Sequence, residues 1–378
     1  MASCLPISWP CSFRHLHLPA EPARAALKLA TQAYLLALPV LAFSLIDSRE
    51  DLRAAFGWWL AATAVTAGIG TLTVLLFAVA DWPPLSYALH SYGTLPPGPY
   101  PRLESTFAYP AMLTNFLTVS LLILLIARRL GWIGSPVFYL LLVPILVTSV
   151  FSLTPGLGGI FVAIGLWLYA SERIRAPRLA FAALAGGAMA ALLFVLAATV
   201  TPIIHPTAPF LIHVPGLGQE LAPSVRLMTW IDAIARFTEH PLLGAGIGSD
   251  AVAVRYADPS GNLHRLTDAH NVFLNVAVQC GLVGVAAMIW LIVRVANSTG
   301  KLRLNRDNVV RLGLGLAWLN AFVYQGLTGS YEDARHLWVL LGLLLVSIRL
   351  EQAEAHSPAA PGAGGAGAGR RAALSPSS

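Results

Sequence analysis

The sequence predicts an all-α fold: a polytopic transmembrane helix bundle of about nine spans, with a large outer loop that contains an amphipathic helix. Two observations predict it. Of 378 residues, 56% are hydrophobic and only 11% are charged, whereas a soluble domain carries about 25% charge. Long apolar runs also recur along the chain, and about 20 such residues suffice to cross roughly 30 Å of hydrocarbon.

The elements follow in order. Residues 1–26 mix Pro, His, Arg and Cys without periodicity and are expected to be disordered; they lack the apolar core and cleavage site of a signal peptide. A membrane domain is expected over 27–350, with spans near 28–46, 58–80, 111–127, 137–153, 156–170, 179–200, 271–293, 309–328 and 336–350. The tail over 351–378, which includes PGAGGAGAGRR, buries too little apolar surface to order itself. Basic residues set the sidedness. Arg128 and Arg129, then Arg173, Arg175 and Arg178, then Arg294, Lys301, Arg303, Arg306 and Arg311 flank three short loops. Those loops are expected on the cytoplasmic side, with 81–110, 201–269 and 329–335 outside. Nine spans would leave the N-terminus outside despite Arg14, Arg24 and Lys28, a conflict that points either to a missed span or to spans absent from the N-terminus of this chain.

The net charge of +6 belongs to these loops, so nucleic acid is not an expected partner. Three cysteines make no disulfide framework. With no CxxC and no His/Cys cluster, no metal and no cofactor are expected. Cys280, inside an apolar run, reads as a packing residue.

The 201–269 loop is too long to be a mere connector. Ser224 can cap a helix running to about Glu239, which Pro241 ends. Within it Leu227, Trp230, Ile231, Ala233, Ile234 and Phe237 form an apolar stripe at helical spacing. Trp230 suits the headgroup level, and the helix either lies on the membrane or caps the bundle. Arg226 falls in the first turn, where the helix dipole disfavours a cation. An anionic ligand such as a diphosphate is one group that could hold it, since arginine pairs with phosphate oxygens bidentately; a solvated or Asp-paired arginine is the other reading. Gly244, Gly246 and Gly248 follow Pro241 but no strand precedes them, so they do not form a dinucleotide fingerprint. They read as a tight turn with close backbone approach to the membrane or to a substrate.

His270 and Asn271 stand where the chain returns to the membrane. An imidazole can accept a proton from a hydroxyl nucleophile, with Asp268 or Glu239 to orient it; alternatively His270 is an interfacial residue and Asn271 a helix cap. His205, His213 and His264 are weaker candidates. In the other outer loops, Arg102 precedes Glu104, and Glu332, Asp333, Arg335 and His336 cluster at a span end, where charges pair with each other or close a polar cleft.

Taken together, Arg226, Trp230, HPLLGAGIGSD and HNVFLNVAVQCGLVG resemble the O-antigen ligase and polymerase superfamily of bacterial envelope glycan enzymes, as does RLESTFAYPAMLTNFL, with Ala111 in place of the usual Asn. The resemblance covers roughly 100–345 and is most specific over 224–284. It implies a metal-independent, inverting glycosyltransferase of the bacterial inner membrane, active on the periplasmic side. The donor would be a glycan on undecaprenyl diphosphate and the acceptor a hydroxyl of lipid A-core or another envelope molecule, with membrane lipids as surroundings. By carry-over, His270 is the general base and Arg226 binds the diphosphate, with Arg102, Arg335, Trp230, Gly246 and Asn271 as further substrate-binding residues. One departure stands out: Leu157 occupies the place of a family arginine, whose charge Arg102 or Arg335 would have to supply. A polymerase of lipid-linked repeats would use the same residues. A non-catalytic scaffold is another reading. A permease is disfavoured, because the charged residues keep to span ends and no internal repeat is visible.

Overall fold

The computed structural model describes residues 22–80, 89–90, 94–95, 98–99, 102–152, 154, 156–171, 212–213, 220–221, 225–257, 263–299, 303–305, 307–328 and 334–356. The helices among them are α1 (Pro22–Leu45), α2 (Arg49–Ala80), α3 (Pro110–Arg129), α4 (Ser135–Phe151), α5 (Leu157–Ala170), α6 (Val225–Glu239), α7 (Val272–Thr299), α8 (Val309–Thr328) and α9 (Arg335–His356). Each expected span coincides with one of these except 179–200, which lies outside the described residues. By length and composition α1, α2, α3, α7 and α9 can cross a membrane, while α4, α5 and the Val309–Tyr324 part of α8 are shorter apolar helices. The chain is thus mostly helical and compatible with a multi-pass membrane protein.

Two boundaries differ from the sequence reading. Helix α1 begins at Pro22, inside the stretch expected to be disordered. A proline suits the first helical turn, where its missing N–H has no partner to lose, and Arg24 is anchored to Asp250 at 3.0 Å. Helix α9 runs on to His356, past the expected start of the tail, because Arg311 and Arg49 hold Glu351 and Glu354 at 3.2 and 2.7 Å.

Short antiparallel ribbons also occur, in the 81–110 loop and in the 201–269 loop, where only a helix is expected from the sequence. Strand β1 (Leu89–His90) pairs with β4 (Arg102–Leu103), and β2 (Thr94–Leu95) with β3 (Gly98–Pro99) between them. In the later loop β5 (Ile212–His213) pairs with β6 (Glu220–Leu221), and β7 (Val254–Ala257) with β8 (Leu263–Leu266). The DPSGN sequence between the last two is rich in turn residues, which is the local signal for a hairpin.

Helices α3 and α8 form the centre. Most of α3 is buried, from Leu113 through Leu124, and α2, α4, α5, α7 and α9 pack around the pair, with α1 outermost against α9. Apolar packing alone gives little direction inside lipid, so small and polar residues set the contacts. Gly342 lets α1 approach α9: a Cβ there would lie 2.6 Å from that of Ala42. Ser120 of α3 accepts from Trp59 Nε1 at 3.0 Å and from Thr63 at 2.9 Å. Thr148 donates to the Ala67 carbonyl at 3.0 Å. Asn115 donates to the Ala321 carbonyl at 2.9 Å.

The helix ends sort onto two faces. At one, Arg49 pairs with Glu354, Arg311 with Glu351 and Arg349 with Asp47. The C-terminal end of α3, which carries Arg128 and Arg129, meets the start of α8 there through Ile126 and Gly313. At the opposite face the N-terminus of α1 touches the 244–250 segment through Gly248 and Asp250.

Candidate functional site

The site is built where the chain returns to the bundle at α7. Asn271 caps that helix: its Oδ1 accepts the N–H groups of Phe273 at 3.0 Å and Leu274 at 3.2 Å, two donors that lack a partner within the helix. One turn on, Asn275 reaches back. Its Oδ1 accepts the Ala269 N–H and its Nδ2 donates to Asp268 Oδ2, both at 2.9 Å. The other carboxylate oxygen of Asp268 accepts the His270 N–H at 2.5 Å and lies 3.8 Å from His270 Nδ1. These bonds hold His270 at φ 50°, a left-handed backbone uncommon for a non-glycine residue. The side chain is 43% exposed. Nδ1 is the ring nitrogen nearer the carboxylate, at a distance longer than a hydrogen bond.

Helix α6 lies against this loop. Thr229 donates to the Ala269 carbonyl at 3.3 Å. Trp230, Phe237 and buried Ala233 pack with Ala251, Val252, Ala269 and Val278. Trp230 therefore faces the protein, and its buried Nε1 has no hydrogen-bond partner among the described residues. Position 226 is one helical turn before Thr229; the side chain of Arg226 lies outside the described residues.

The glycine-rich turn makes a close backbone approach to α7, at a break in that helix. Gly281 has φ 63° and ψ −159°, which leaves carbonyls before it and N–H groups after it without helical partners. The turn satisfies both sets. Ala245 and Gly246 donate to the carbonyls of Val278 at 2.7 Å and Gln279 at 3.1 Å, while Leu282 and Val283 donate to those of Pro241 at 2.9 Å and Leu242 at 3.4 Å. A Cβ on Gly244 would sit 2.4 Å from the Gln279 carbonyl carbon, and one on Gly281 2.3 Å from the Leu242 oxygen. The N–H of Gly246 is thus engaged by the protein, just as the Asn271 side-chain oxygen is engaged by the cap.

Beside the break lies a cavity of about 310 Å³, with Lys28 and Gln32 of α1, Asn275 and Gln279 of α7, and the apolar side chains of Met288 and Trp338 among its walls. Asn275 is shared: it lines the cavity and fixes the His270 loop. Gln279 holds the Ser249 carbonyl at 2.9 Å.

Arg102 stands at another corner, donating from Nε to the Ser152 carbonyl at 3.3 Å. Leu157 opens α5 there, with its N–H on the Thr154 carbonyl at 3.2 Å. A hydroxyl chain connects this corner to the core: Thr114 donates to Ser152 Oγ at 2.7 Å and accepts from Thr154 at 3.0 Å. The neighbouring Asn115 meets His336 Nε2 at 2.7 Å. Arg335 is exposed at the first position of α9, so it and His336 point to different surroundings. Glu332, Asp333 and His205 lie outside the described residues, as do the side chains of His213 in β5 and His264 in β8, and Glu239 is exposed at the end of α6. Among the described residues no three His, Cys, Asp or Glu side chains come together in a way that could hold a metal ion. Cys280 is a free thiol.

No protein-family model and no curated protein matches this chain.

The sequence reading did not single out Asn275, Gln279 or Asp250. Asn271, Asn275 and Gln279 recur every fourth residue in an otherwise apolar segment, which places three carboxamides on one helix face. Polar groups on one side of a membrane helix mark an interior or functional face. Asp250 had no such signal. It joins Arg24 at 3.0 Å and Arg265 at 2.6 Å, partners far apart in the chain.

Proposed function

We propose that this protein is a membrane glycosyltransferase that moves a glycan from an undecaprenyl-diphosphate carrier to an acceptor hydroxyl on the periplasmic side of a bacterial inner membrane, without a metal. The observation that supports it most is the Asp268–His270 pair, whose loop is fixed by the cavity-lining Asn275 and bonded to α6 through Thr229. His270 Nε2 takes the proton of the acceptor hydroxyl. The hydroxyl oxygen attacks the anomeric carbon from the face opposite the diphosphate, the carbon–oxygen bond to the carrier breaks, and the lipid diphosphate leaves with inverted configuration in the product. That leaving group is already activated and needs no acid. Its charge is matched by Arg226, since fixed cations favour charge that develops in the transition state. Arg102 at the α4–α5 corner is near Leu157 in the chain of contacts, which favours it over Arg335 as the source of the second cation. Transfer to lipid A-core and polymerisation of lipid-linked repeats use the same groups.

The test is turnover of a purified lipid-linked glycan with His270→Ala. A general base contributes about 10²–10⁴ in rate, so a loss in that range is expected with the protein still folded. Unchanged turnover would remove His270 from the chemistry.

A further inference from the structure

The candidate site is attached to an apolar surface that continues the lipid-facing side of α7. That helix is long and apolar enough to span, and only 22% of its central window is buried. Just after the break, Leu282 and Val283 are 50% and 63% exposed, as expected of residues facing hydrocarbon. The 241–243 turn is bonded to their backbone N–H groups, and its own Leu242 and Leu243 are 67% and 75% exposed. In α6, Trp230, Ala233 and Phe237 face the protein, yet Ile231 and Ile234 are 61% and 52% exposed on a second side. A water-facing helix would carry polar residues there, and soluble surfaces rarely keep large apolar patches uncovered.

We infer that α6 and the turn after it form a wedge whose outer surface, Ile231, Ile234, Leu242 and Leu243, is immersed in the acyl region of the adjacent leaflet, continuous with Leu282 and Val283. The occupant is the bilayer itself. The continuity argues for it: the turn is hydrogen-bonded to the very residues of a spanning helix that face lipid, and no charged side chain lies between Pro241 and Ile247. The Asp232–Arg236 pair is 3.2 Å long and turned to the protein, where Asp232 accepts the Ala253 N–H at 2.7 Å. The wedge stands whichever reaction the site performs.

The full chain, unmodified, is reconstituted into phosphatidylethanolamine and phosphatidylglycerol vesicles and labelled with a lipid-soluble or a water-soluble diazirine. Peptides are then mapped by mass spectrometry. The lipid-phase probe should modify the Leu242–Leu243 segment about as strongly as Leu282–Val283 and leave the exposed strand around Arg255 unmodified. Labelling of Leu242–Leu243 by the aqueous probe would overturn the wedge by showing that the patch faces water. Protection from both probes would overturn it in favour of a covering protein, a second copy included. Because no residue is changed, the result is independent of His270 and of any transfer assay.

Discussion

At Asp268 one carboxylate does two jobs: it fixes the backbone of His270 and faces its Nδ1. Asp268→Asn keeps the size and can still accept a backbone bond, but removes the negative charge that faces Nδ1. On the proposed mechanism turnover is expected to fall less than for His270→Ala, with KM nearly unchanged, because the proposal gives Asp268 no contact with substrate; steady-state kinetics separate the two parameters. Arg226 is a different kind of residue. A guanidinium holds phosphate oxygens as a planar fork, and an ammonium cannot. Arg226→Lys should therefore lose a large part of donor affinity although the charge is kept. Equal donor KM for Arg226→Lys and the parent would exclude bidentate diphosphate binding there.

The element scale turns on the break in α7. A helix interrupted at Gly281 inside an apolar setting needs outside partners for its backbone, since an unsatisfied group there costs several kcal/mol. The turn after Pro241 supplies them in both directions. Gly244 and Gly281 combine positive φ with no room for a Cβ. Gly244→Ala and Gly281→Ala should each cost about 1–3 kcal/mol, the range for strained backbone positions. Gly57 in α2 has open space around a Cβ, so Gly57→Ala should be neutral or stabilise by up to about 1 kcal/mol. Thermal unfolding in detergent gives the comparison. If all three alanine variants melted together, the turn would not be supporting the helix.

Across the whole molecule, polar side chains join helices that hydrophobicity cannot distinguish. Asn115 links α3 to α8 through the Ala321 carbonyl and to α9 through His336. Such bonds contribute about 1–2 kcal/mol at most in membrane bundles. Asn115→Leu should destabilise by about that amount, and His336→Phe by less. The double variant should lose less than the two effects added, because both remove the same bond. Strict additivity in a double-mutant unfolding cycle would show that the pair is not coupled.

At Asn271 the sequence left a helix cap and a substrate contact both open; the apolar helices, the amphipathic helix that Pro241 ends and the clusters of basic residues at helix ends were legible in it. Each of these follows from local composition or from spacing along one helix, and local physics is enough to fix it. The roles of Gly244 and Gly246 were decided only by the tertiary structure. Their need for positive φ was visible, but the partner, a broken helix more than thirty residues later, was not. Trp230 faces the bundle while Ile231 and Ile234 face out, because a helix apolar on two sides offers no sequence signal for which side the protein will cover. Asp250 found Arg24 and Arg265 for the same reason that Asp268 found Asn275: a carboxylate takes whichever partner the packing brings near, and packing is a property of the whole chain.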